Sequence, residues 1–110
     1  MSQSLPEVVS RYFELDAVRD VEAIVALFTD DATVVDEGAT RQGRSEIRAW
    51  QKGPASQYSF TTEIIASEQL GPDRRLVNGR LTGNFPGGAV DLKFDFVIDR
   101  NRIARLIIAP

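Results

Sequence analysis

Apolar positions change their period midway along the chain. In the first half, Leu5, Val8, Val9, Tyr12 and Leu15 recur at three- and four-residue steps, which puts them on one face of a helix. Ser4 and Glu7 have the S-x-x-E spacing of a capping box, with Pro6 in the first turn, where proline is tolerated. Asp20 is a second N-cap signal. Val21, Ile24, Val25 and Phe28 form the stripe behind it, and the spacing predicts a helix ending near Asp30-Asp31. Thr33-Val34-Val35 is a β-branched run closed by Asp36-Glu37-Gly38, which reads as a short strand and a turn. Gly43 and Glu46 open a third helix carrying Ile47 and Trp50, and Gly53-Pro54 stops it.

In the second half the period becomes two. Phe60 to Ile65 begins a strand that Gly71-Pro72-Asp73 ends. Val77, Leu81 and Phe85 alternate with polar residues, although Gly79 and Gly83 interrupt the stripe; glycine inside a strand marks a bend or a close approach. Pro86-Gly87-Gly88 is a turn. Val90, Leu92, Phe94, Phe96 and Ile98 then alternate with Asp91, Lys93, Asp95, Val97 and Asp99. Arg100-Asn101 fits a tight hairpin, since Asn tolerates positive φ, and the last strand runs from Ile103 to Ala109. Helices first and hairpin-linked strands after define the α+β class. The expected architecture is three N-terminal helices packed on a curved antiparallel sheet, forming a cone with an internal pocket. One domain over residues 1–110 fits the length.

Composition narrows the chemistry. With no Cys, the chain has no thiol nucleophile, iron–sulfur cluster or thiolate zinc site. With no His, the Ser-His-Asp and Cys-His arrangements and imidazole-bound metals are excluded. Proton transfer falls to Asp, Glu, Tyr, Lys or Arg. The net charge of −3 gives no electrostatic footprint for nucleic acid or an anionic membrane. No apolar run approaches the roughly 20 residues that span a bilayer. Met1 to Pro6 lacks the basic and apolar regions of a signal peptide, so a cytoplasmic protein is expected. Asp30-Asp31 reads as a cap or a solvated pair, and no metal and no cofactor is expected.

Two residues stand out. Tyr12 lies on the apolar face of the first helix, where its hydroxyl needs a partner; a pocket ligand, a carbonyl or a water would serve. Asp36 shares the side of its strand with Val34. Facing the pocket it is a carboxylate in apolar surroundings, a stronger base than one in water; facing out it caps the Glu37-Gly38 turn. Leu15, Phe28, Trp50 and Phe94 are the expected apolar wall. Lys93, between Asp91 and Asp95, belongs to a solvated or interface face of the sheet.

Arg11 to Leu15, Asp20 to Val25 and Asp30 to Asp36 together resemble the N-terminal half of a bacterial ketosteroid isomerase, and Gln42-Gly43-Arg44 before an apolar helix is similar to the segment after it. Over nearly its full length the chain resembles the SnoaL-like branch of the nuclear transport factor-like superfamily, with the cystatin-like α+β cone. That superfold hosts isomerases, cyclases, hydratases, epoxide hydrolases and non-catalytic domains. The resemblance implies a homodimer and a pocket for a small apolar ligand. It puts the isomerase's general base at Asp36 and its oxyanion-binding tyrosine at Tyr12. The isomerase also uses a protonated aspartic acid on a late strand. Matching Gly88 to Asp91 without a gap puts Phe94 in that acid's place, and Asp95 one residue on, where period two sends it to the other face. Lacking one oxyanion donor typically costs ~10²–10³ in rate. The resemblance therefore implies cofactor-independent proton transfer next to a carbonyl, of the isomerase or cyclase kind. The alternative is a non-catalytic ligand-binding or dimerisation domain. Arg80, Asp91, Lys93 and Asp95 would carry the dimer contact, unlike charges pairing across a two-fold axis.

Overall fold

The computed structural model describes residues 5–110. Ser4, half of the expected capping box, lies outside the described residues. Helix α1 spans Glu7–Val18 behind Pro6 and buries Val8, Val9, Tyr12 and Leu15, the face set by their spacing. It ends at Arg19, which adopts the left-handed conformation with φ of 57°. The Asp20 carboxylate accepts the amide N–H of Ala23 at 3.2 Å and starts α2, Val21–Ala26.

The second helix is shorter than the spacing predicts. Phe28, Thr29, Asp30 and Asp31 belong instead to strand β1, Phe28–Asp36. Phe28 pairs with Ile103 of the last strand, and the amide of Ile103 donates to the Leu27 carbonyl at 2.8 Å. Distant pairing outweighs the local helical period, which a lone stripe cannot reveal. Glu37 and Gly38, with φ of 54° and 73°, turn the chain into β2, Ala39–Gln42, a strand with no apolar stripe to announce it. Helix α3, Gly43–Lys52, buries Ile47, Trp50 and Gln51 and is followed by a 3₁₀ turn at Pro54–Ser56.

Strands β3 (Phe60–Gly71), β4 (Arg74–Gly83), β5 (Ala89–Asp99) and β6 (Arg102–Ala109) complete one six-stranded sheet of order β2-β1-β6-β5-β4-β3. Arg100 and Asn101, with φ of 52° and 65°, make the tight turn between β5 and β6. The sheet is mixed rather than purely antiparallel, because β1 runs parallel to β6. The crossing from the N-terminal half brings β1 alongside the chain's last strand, a connection that hairpin signals do not encode. The helices cover one face, where Phe28, Val34, Val77, Phe96 and Leu106 form the core with the buried faces of α1, α2 and α3. No helix among the described residues is long and apolar enough to cross a membrane.

Candidate active site

Asp36 is the last residue of β1, opposite Ile108 of β6, and strand alternation puts it on the helix side with Val34. There its carboxylate accepts the indole N–H of Trp50 at 3.0 Å. Trp50 is buried on the inner face of α3, so a rigid ring fixes the direction of the carboxylate. The two nearest arginines do not pair with it. Arg41 donates to the backbone carbonyls of Asp36 and Ala39, and Arg44 to the Phe28 carbonyl and the Asp30 carboxylate.

Tyr12 meets Asp36 across one cavity of about 530 Å³ between α1, α3 and the sheet. The tyrosine is 3% exposed, and Phe13, Phe28 and Phe96 surround its ring edge-on at 5.3, 6.3 and 5.6 Å. Burial pushes its pKa well above the ordinary 10.0; the charges of Asp16 and Asp36 add to this, and Arg19 opposes it. The hydroxyl therefore stays protonated, with an O–H to donate. Among the described residues it has no hydrogen-bond partner, and it lies on the cavity wall.

Phe94 and Trp50 line the same cavity, with Phe60, Leu81 and Leu92. Asp95 lies on the opposite face, where Arg74 holds its carboxylate through two hydrogen bonds of 3.0 and 2.7 Å. Leu15 and Phe28, expected on the wall, are not lining residues. Both are core side chains, and Phe28 is packed beneath the Tyr12 ring because its strand begins further in than a helical position would put it.

One cluster was missed in the sequence. Asp16 also lines the cavity, one helical turn beyond Tyr12 on α1. Burial raises its pKa, and Arg19, whose guanidinium lies 2.6 Å away, works against that rise. Arg19 further donates to the backbone and side-chain oxygens of the buried Gln51 and to Ser56, tying α1 to the end of α3. The i to i+4 relation of Tyr12 and Asp16 was the available signal. The Trp50 donor is a second missed feature: an indole N–H facing a pocket needs an acceptor. Among the described residues no three acidic side chains converge as a metal site.

Three helices packed on one face of a six-stranded sheet is the fold shared with ketosteroid isomerase-like and cystatin-fold proteins. The chain belongs to the SnoaL-like domain family, whose sequence model matches residues 9–105. A candidate polyketide cyclase from Sinorhizobium meliloti shares 39% identity, with 94% of each chain covered and a TM-score of 0.88. Two others are alike in fold alone. A protein with a ketosteroid isomerase-like fold from Catenulispora acidiphila, solved with trimethylamine, is 21% identical over 97% of this chain and 87% of its own, TM-score 0.85. A Mycobacterium tuberculosis protein, solved with estradiol-17β-hemisuccinate, is 16% identical over 92% and 88%, TM-score 0.78. No curated protein matches the chain.

Proposed function

We propose that the protein catalyses cofactor-independent proton transfer next to a carbonyl of a small, largely apolar substrate, in the manner of an isomerase or cyclase. One observation carries the reading: Asp36 and Tyr12 face the same cavity, with the carboxylate aimed by Trp50. The Asp36 carboxylate takes a proton from the carbon beside the carbonyl. The C–H pair becomes the new C=C bond, and the carbonyl π pair moves to oxygen, which accepts the Tyr12 O–H. Return of the proton to another carbon gives an isomer; attack of the enolate carbon on a second carbonyl closes a ring. General-base catalysis of this kind contributes typically ~10²–10⁴ in rate. Likeness to the Sinorhizobium cyclase supports the reading, and ligands held by two relatives of the same fold support an occupied cavity. The test is isomerisation of a panel of cyclic β,γ-unsaturated ketones. Asp36→Asn is expected to bind them and not turn them over; equal turnover by the variant would sink the reading.

Phe94 lines the cavity, and the resemblance puts it where the isomerase has its second donor; this supports the other reading, a ligand-binding domain without turnover. In that case binding persists and no ketone of the panel is isomerised.

The proposal includes a homodimer joined through the open sheet face. The charges expected to pair between subunits pair within the chain, Arg80 with Asp91 and Arg74 with Asp95. What favours association is instead the half-buried Val35, Leu76, Val97 and Ile107 of the same face, and the buried, unpartnered Nε of Arg105.

A further inference from the structure

The cavity has acidic groups and no basic ones. Asp16, Asp36 and Glu37 line it, and among the described residues no Lys or Arg does. Arg19 offsets Asp16. Asp36 has one neutral N–H as its hydrogen bond and no cation, since Arg41 and Arg44 are turned onto backbone carbonyls and Asp30. Tyr12, Trp50, Phe60 and Phe94 line the same cavity. The Tyr12 hydroxyl, 3% exposed as a residue and without a protein partner, opens onto the same space and marks where a ligand's polar atom sits.

An enolate formed here meets neutral donors, the buried Tyr12 O–H foremost, and no cation on the wall among the described residues. A positive group carried by the substrate itself would therefore have the carboxylates to itself. Aromatic walls attract an organic cation, and an uncompensated carboxylate in apolar surroundings gains most from a partner of opposite charge.

We propose that the substrate is a small apolar ketone bearing a protonated amine close to its carbonyl, and that the cavity selects for that cation and against anions. The position of the carbonyl rests on the proton-transfer reading above; the charge preference does not. In such a molecule the carbon that loses its proton is one or two bonds from the ammonium group. The same Asp36 carboxylate then faces both, and the ammonium offsets the enolate's charge.

Three isosteric ketones test this: 3-(dimethylamino)propiophenone, its neutral isostere 4-methyl-1-phenylpentan-1-one, and 3-benzoylpropionate. Their affinities are compared by calorimetry, and deuterium exchange beside the carbonyl is followed by NMR on the neutral ketone, because the enolate of the β-amino ketone expels dimethylamine. The expected order is ammonium, neutral, carboxylate, with at least about tenfold between the first two, in line with a screened charge pair. Asp36→Asn is expected to erase most of that gap by weakening the ammonium ketone far more than the neutral one. Affinities within about threefold of one another, a preference for the carboxylate, or a gap that survives Asp36→Asn would each overturn the proposal. Exchange without a charge preference leaves proton transfer standing and removes this inference. A charge preference without exchange does the reverse.

Discussion

At the scale of single residues, the Trp50 to Asp36 hydrogen bond joins packing to chemistry. Trp50→Phe keeps an aromatic ring in the core but leaves the carboxylate without its N–H. Hydrogen bonds to charged groups are worth roughly 1.5–3 kcal/mol, and a loss of that size is expected in urea unfolding. Phe94 is 5% exposed and meets Phe13 edge-on at 5.1 Å. Phe94→Asp is therefore expected to cost about 3–5 kcal/mol or more, the range of large core truncations, whereas Asp95→Ala, which removes a two-bond pair with Arg74 at the sheet surface, is expected to cost about 1 kcal/mol or less. Asp16 makes a pH prediction. Its carboxyl is raised above the ordinary 3.8 by burial, so the folded chain holds this proton more tightly than the unfolded one. The contribution is present at low pH and is lost as pH rises from the unfolded value through the raised one. Stability profiles of wild type and Asp16→Asn are expected to diverge across that window, the wild type falling more steeply; parallel profiles would contradict it. At this scale Tyr12, Asp36 and Phe94 were legible because each sits in a clear period. Asp16 and the Trp50 donor were not, since their meaning depends on partners far along the chain.

At the scale of elements, the two tight turns and the long strands were legible, because φ-tolerant residues and a period of two are local properties. The α2–β1 boundary, the strand β2 and the parallel β1–β6 pairing were not. Each is decided by a neighbour distant in sequence, and Ala39–Gln42 becomes a strand only by pairing with Thr33–Asp36. The glycines that interrupt the β4 stripe have the close approaches their position implies. A Cβ on Gly79 would stand 3.1 Å from the Phe94 ring, and one on Gly83 would run into the Ser59 carbonyl and the Phe60 backbone. A side chain cannot yield easily at Gly83, because the obstacle is backbone. Gly83→Ala is expected to destabilise the protein by about 1–3 kcal/mol, the usual range for overpacking, with Gly79→Ala costing less since the phenyl ring can shift. Equal midpoints for Gly83→Ala and wild type would show that the β3–β4 end is looser than this geometry requires.

At the scale of the whole molecule, one sheet face is covered by helices and closes over the cavity, and the other is open. The open face carries the Arg80–Asp91 and Arg74–Asp95 pairs on β4 and β5, with half-buried Leu76 and Val97 beside them and Ile107 and Val35 beyond on β6 and β1. A two-fold axis through that face would bury these apolar side chains against their copies. Sedimentation at micromolar concentration is expected to give a species of twice the 12.2 kDa chain, and Ile107→Lys is expected to return it to the monomer. A wild-type protein that sediments as the single chain would end this part of the account. The central claim, that Asp36 and Tyr12 act together on one ligand in the cavity, is tested most directly by deuterium exchange into a cyclic ketone across a double-mutant cycle. Tyr12→Phe is expected to lower the rate by ~10²–10³, as removing one oxyanion donor does. Asp36→Asn is expected to bring it to the buffer rate, and the double variant to be no slower than Asp36→Asn alone, because the donor has no enolate to hold once the base is gone. A wild-type rate equal to buffer, or an Asp36→Asn rate equal to wild type, would contradict it.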